Sequence, residues 1–275
     1  MIALFRTELV KATVRVRTLI VAAILVALPV LISVAIHARK GRGPAREGLG
    51  VLARQSGLLM PAAILGFTSA FLLIIIAGTF AGDAVAGDAA SGNLRYVLIR
   101  PVSRGRLLIA KLAAAGVLVW AMTLLVACVG LVAGLALFGS HPAIVPSLAG
   151  GSLHTFTLGT GTQLVRVGIA TLYIAAGFTG LLAIGTFFST LTDTPAGAIG
   201  ACVGVYIVSE ILDGIDQLGR LRYVLPTHYR AAWEPLFTEN RFSHDLLTGL
   251  LVQAAYLVVF LGAAVIWFRR KDIRS

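Results

Sequence analysis

The chain holds only twelve carboxylates against 23 lysines and arginines, so each carboxylate is a candidate for chemistry. Asp83 and Asp88 stand close together at the end of an apolar run, a pairing that elsewhere does acid/base work or holds a metal. Five residues apart they fall on different faces of a helix, and no His or third carboxylate is near in sequence. Structural pairing is therefore the expectation, Asp88 with a cation of its own loop such as Arg95. Glu210 is the one carboxylate inside an apolar span. Intramembrane ionisable groups are expensive and usually functional, which makes Glu210 a candidate for a translocation path or gate. Against that, it lies about three residues from the end of its segment, where snorkelling reaches water.

Other chemistries are excluded by what is missing. An ATP-binding loop needs GxxxxGK[ST], because backbone amides and the lysine hold the phosphates. The four lysines are Lys11, Lys40, Lys111 and Lys271, and none follows a glycine. Any ATP hydrolysis must come from another chain. There is no nucleophile elbow and no HExxH, so the chain is not expected to be an enzyme or to carry a cofactor. His37, His141, His154, His228 and His244 are scattered at spacings unhelpful to a metal site, and Cys128 and Cys202 lie in apolar runs as small hydrophobes.

The elements that must position these residues are membrane helices. Mean hydropathy is +0.92, and 13% of residues are charged where soluble chains carry about a quarter. The expected fold is an all-α polytopic membrane protein. Its formal charge of +11 sits mostly beside apolar segments, which reads as topogenic charge and anionic headgroup contact, with no nucleic acid as partner. Six apolar segments run over 18–36, 58–81, 112–138, 167–188, 196–212 and 246–268, near the ~20 residues a crossing needs. Residues 1–17 precede them as an amphipathic interfacial helix, with Ile2, Phe5, Leu9, Thr13 and Val16 on a stripe and Arg6, Lys11, Arg15 and Arg17 away from it. The alternative for this region is a signal peptide, with Thr18 to Ile32 as its apolar region and Ser33 and Ala35 as the small residues before a cleavage site. Six crossings put both termini on one side. Thirteen of the 23 cations then lie inside, against a first outer loop crowded with Arg39, Lys40, Arg42, Arg46 and Arg54. Residues 139–166 read as an irregular outer connection, and 213–245 as a charged outer loop. Glycines such as Gly177, Gly180 and Gly185 in the fourth segment and Gly197, Gly200 and Gly204 in the fifth suit close helix contact, either within one subunit or at a dimer seam.

Between the second and third segments, residues 82–111 form a polar loop with five cations. Ser91 is placed to cap a short amphipathic helix, carried by Leu94, Val97 and Leu98 and ended by Pro101. Ser103 is then placed to cap the helix that follows. Such a helix lying on the membrane surface is a shape for receiving a partner.

These residues resemble the permease subunits of ABC-2 type transporters. In that family the corresponding loop reads acidic-x-x-x-Gly-Thr-Leu, then Pro-Val-Ser-Arg, then a Lys in the next helix. Asp88, Gly92, Asn93 and Leu94 stand at the first group, with Asp for Glu and Asn for Thr. Pro101 to Arg104 match the second literally, and Lys111 the last. LPTHYRAAWEPLF, Leu225 to Phe237, resembles the outer stretch before the family's last helix. The resemblance implies that Asp88, Gly92, Asn93, Leu94, Arg95, Val97, Leu98, Arg100, Pro101, Ser103 and Arg104 couple to a separate ATPase, present in two copies and carrying the ATP and magnesium. It also implies a second permease copy, identical or related, in the plasma (inner) membrane with both termini cytoplasmic, and export of a hydrophobic or amphipathic compound. On this reading Asp88 keeps the second helix in register with the coupling helix, and Asp88→Ala lowers coupled ATPase activity while insertion stays intact. The alternatives are an ion-gradient-driven carrier and a non-transporting membrane scaffold.

Overall fold

The computed structural model describes residues 2–38, 49–92, 103–149, 152–238 and 243–270, and of 146–149 and 152–154 the backbone alone. The chain is a mostly helical, multi-pass membrane protein, with six helices among the described residues long and apolar enough to cross a membrane. Helix α1, Ile2–Thr13, bends at Val14 and Arg15 into the first span, α2, Val16–Ala38. The third span is α6, Arg104–Phe138, the fifth α9, Pro195–Asp213, and the sixth α11, His244–Arg270. The last two agree with the sequence to within two residues at each end.

The second apolar segment is not one helix. A short helix α3, Leu49–Gln55, and a 3-10 turn at Gly57–Leu59 lead into α4, Met60–Ser69. The backbone then breaks at Phe71, whose φ of −142° and ψ of −60° are not helical, and the crossing helix is α5, Leu72–Ala90. Residues 82–90, expected as the start of a polar loop in water, are thus the end of a span, and Asp83 and Asp88 are buried. Because α6 begins at Arg104, the polar connection narrows to 91–103. The short helix expected at Leu94 to Arg100 falls outside the described residues.

The fourth span also breaks, at Phe178 between α7, Thr160–Gly177, and α8, Thr179–Leu191. It starts seven residues earlier than hydropathy suggests. The stretch 139–166, expected to be irregular, contains an antiparallel hairpin, β1 Ala143–Ala149 against β2 Ser152–Leu158, in register from Ala143 with Leu158 to Ala149 with Ser152. Helix α10, Pro235–Thr238, belongs to the far loop, the connection 214–243 between α9 and α11.

The core lies where α4, α5 and α6 meet α7 and α8, through Leu59, Ile64, Leu73, Ala77, Val119, Val126, Ile174 and Leu182. Glycine sets how close these elements come. Gly57 donates its N–H to the Gly139 carbonyl at 2.9 Å, and a Cβ on Gly57 would collide with the Gly134 carbonyl. A Cβ on Gly82 would lie 2.8 Å from the backbone nitrogen of Ile199, so α5 and α9 touch backbone to backbone. The glycines of the fourth and fifth spans divide: Gly185 packs against Ala81 and Cys202 and Gly180 against Gln253, while Gly200 and Gly204 face open space. Gly180 and Gly185 thus serve packing within the subunit, while Gly177 has open space beside it.

Candidate functional site: a charge clasp at the ends of the 91–103 connection

Helix α1 turns its charged face into the protein. Glu8 and Lys11, at i and i+3, share one face of α1, Arg15 follows in the bend, and Leu9 and Ala12 pack on the core. The cations expected to face headgroups meet the carboxylates of α5 instead. Lys11 Nζ lies 2.5 Å from Asp88 Oδ1, and Lys111 Nζ, from α6, lies 2.5 Å from Asp88 Oδ2 and 2.8 Å from Glu8 Oε2. Arg15 pairs with Asp83 and reaches to 4.0 Å from Asp88 Oδ1; Arg17 also pairs with Asp83. The result is four cations against three carboxylates in one cluster.

Asp88 does pair with a cation of the 82–111 stretch, Lys111, and with Lys11 of α1 besides, while Arg95 lies outside the described residues. Asp83 and Asp88 do point about 140° apart on α5, yet one cluster serves both. The reason is the bend after α1: Lys11 reaches Asp88, and Arg15 and Arg17 reach round to Asp83. Thr18 holds the bend by donating its hydroxyl to the Ala12 carbonyl at 2.7 Å. Gly87 leaves the necessary space, since a Cβ there would sit 2.5 Å from Asp83 Oδ1.

Burial gives the cluster its energetic weight. The Asp88 side chain is 2% exposed and that of Lys111 4%, whereas Lys11 and Arg15 are about a third exposed. A buried charge without a partner is costly, so Asp88 and Lys111 depend on each other far more than on the rim cations. Ser189 adds a tie between them and the fourth span. Its hydroxyl accepts from the N–H groups of Val85 and Ala86, each at 2.9 Å, and donates to the Gly82 carbonyl at 2.6 Å. It thus stands inside the hydrogen-bond ladder of α5, level with the two aspartates.

The clasp closes on the two ends of the 91–103 connection. Asp88 precedes it by one turn and Lys111 follows it by two. Ser91 ends α5, donating its hydroxyl to the Gly87 carbonyl at 2.9 Å, and Gly92 takes a left-handed φ of +71° that favours glycine. Ser103 stands at the N-cap of α6, but its hydroxyl makes no capping hydrogen bond. Arg104 turns to the last helix, donating to the Phe268 carbonyl at 3.1 Å with its guanidinium 6.0 Å from the Phe268 ring. A cation there also suits the negative end of α11. Asn93, Leu94, Arg95, Val97, Leu98, Arg100 and Pro101 lie outside the described residues. The inward roles of Glu8, Lys11, Arg15, Arg17 and Lys111 were missed from the sequence. The signal was there: α1 carries charges at helical spacing, and α5 carries two aspartates that need them.

Glu210 is not part of this cluster. It sits at the opposite end of the molecule, 43% exposed, and pairs with Arg230 at 2.8 Å. Burial alone would lower the Arg230 guanidinium, but the hydrogen bond and charge of Glu210 leave it raised. Arg230 belongs to Leu225–Phe237, which ties the far ends of three helices together. Tyr173 of α7 donates to the Tyr229 carbonyl at 2.6 Å, Gln253 of α11 to the Pro226 carbonyl at 2.7 Å, and Ser209 of α9 pairs with Thr227 at 2.7 Å. Trp233 and Phe237 are buried beneath.

With every carboxylate of the clasp held by cations, the arrangement suits positioning rather than proton transfer. A comparison with curated proteins gives no match. The model of the family described as "Protein of unknown function (DUF2705)" matches residues 53–274, a stretch that holds Asp83, Asp88, Lys111 and Glu210, and the chain belongs to that family.

Proposed function

We propose that this chain is the permease half of an ABC-2 type exporter, and that the clasp holds the 91–103 connection for a separate ATPase. One observation carries the reading: α5 and α6, the helices on either side of the connection, are joined by Asp88 and Lys111, which are buried against each other and against α1. A docking loop must pass force into the helices it joins, and a loop fixed at both ends to three elements does so. The Pro101–Arg104 match, the six spans and the lack of any ATP-binding loop in the chain support the same reading. On it, two permease copies, identical or paired with a related chain, sit in the plasma membrane with α1 and the connection cytoplasmic. Two ATPase subunits bring the ATP and magnesium, and the cargo is a hydrophobic or amphipathic compound.

The test is gentle extraction from native membranes, followed by identification of what co-purifies in near-equal amount. A P-loop ATPase is expected, lost when Arg95 and Arg100 are changed to Glu. Arg104 is left alone, because it anchors α11. A chain that comes out alone and transports under an ion gradient overturns the proposal.

A further inference from the structure

Toward the end of α2 remote from the clasp, a furrow of about 720 Å³ runs between α2 and α4. Ile32 and Ile36 form one wall and Ala63 and Phe67 the other, with Phe67 67% exposed. The space arises because α2 packs chiefly on α6 and only lightly on α4. At the head of the furrow stand two charges, Arg54 at the end of α3 and Glu234 from the far loop. Among the described residues neither takes part in an ion pair. Burial pushes the Glu234 carboxyl up, against the lowering effect of Arg230. A cationic group brought beside it would relieve that cost.

We infer that this furrow holds a membrane phospholipid with a phosphoethanolamine headgroup, its phosphate on Arg54, its ammonium on Glu234 and its acyl chains along Ile32, Ile36, Ala63 and Phe67. Charge complementarity selects the headgroup. A guanidinium matches a phosphate, and a carboxylate accepts hydrogen bonds from a primary ammonium. A choline headgroup has no N–H to donate and is held by aromatic cages, whereas Phe67 is the one ring among the furrow's lining residues. A purely anionic headgroup would leave Glu234 facing negative charge. At about 720 Å³ the furrow lies within the ~300–1,000 Å³ of a small-molecule pocket, room for a headgroup and the first part of its chains. The inference rests on the chain's place in a membrane and not on the permease reading.

The test is native mass spectrometry of the full chain, delipidated in detergent and titrated with phosphatidylethanolamine, phosphatidylcholine and phosphatidylglycerol of identical acyl chains. Phosphatidylethanolamine is expected to be retained about five-fold over the others, the scale of one partly exposed ion pair. Glu234→Gln should remove that preference without lowering the melting temperature, Arg54→Gln should lower retention of all three lipids because each carries the phosphate, and Ala63→Phe should do the same by filling the furrow. Equal retention of the three lipids by the unaltered chain, a preference that survives Glu234→Gln, or retention indifferent to Arg54→Gln overturns the inference.

Discussion

Lys111 and Asp88 are the residues on which the clasp turns. Removing one partner of a buried pair costs about 3–5 kcal/mol, because the other charge stays buried. Asp88→Ala is therefore expected to lower the melting temperature in detergent strongly, toward the smaller end of that range because Glu8 still holds Lys111. Asp88→Asn with Lys111→Met should recover much of the loss. An unchanged melting temperature for Asp88→Ala would mean that the clasp is not formed. Because Asp88→Ala would cost stability as well as coupling, Asp88→Asn is the better variant for coupling. Glu234 gives a second prediction. Its carboxyl is raised by burial, so ionisation is less favourable in the folded chain than in the unfolded one. Its contribution to stability is complete below the usual carboxyl range and is lost as pH rises through the raised value. Glu234→Gln should flatten the fall in melting temperature over that window, as a pH series on both proteins would show.

Among the elements, hydropathy located the spans but not their breaks. The sequence around Ala70 and Phe71, TSAFLLI, has no Pro or Gly, and an apolar break between two apolar helices leaves no trace in an average. The hairpin was legible: Gly150-Gly151 lies between two runs with β-branched and aromatic residues, a two-residue turn signal that the Gly and Ser content obscured. The direction of the α1 cations was ambiguous, because a basic face opposite an apolar stripe fits headgroups and buried carboxylates alike. Burial of Asp83 and Asp88 decides it. Helix contacts yield a third prediction. Gly57→Val puts a branched side chain into the Gly134 backbone, an overpacking worth about 1–3 kcal/mol or more, and should cut the yield of monodisperse protein. Gly204→Val points into open space and should leave it unchanged. Equal yields would overturn the contact.

For the whole molecule, charge counted as topogenic is partly structural. Lys11, Arg15, Arg17 and Lys111 all belong to the inner count, yet each is held by a carboxylate. Orientation then leans on the other inner cations and on the proposal itself. The expectation is that a cysteine at Thr192, in the turn between the fourth and fifth spans, labels only from the cytoplasmic side, and one at Leu221 only from outside, in a chain lacking Cys128 and Cys202. The reverse pattern would invert the proposed topology.

The two helix breaks have a mechanical consequence. Ser69, next to the break at Phe71, and Gly177 and Phe178, at the break in the fourth span, line the same small cavity with Tyr206 and Gln253. Both interruptions therefore sit at one depth. Below that depth, α5, α6, α8 and α11 are joined by the clasp, by Ser189 and by Arg104; above it, the far loop joins α7, α9 and α11. Backbone breaks absorb changes in φ and ψ that packed helices resist. A push delivered to the clasp would thus tilt one half of the molecule against the other about this level, with the unbroken α6 and α11 as its stiff spars.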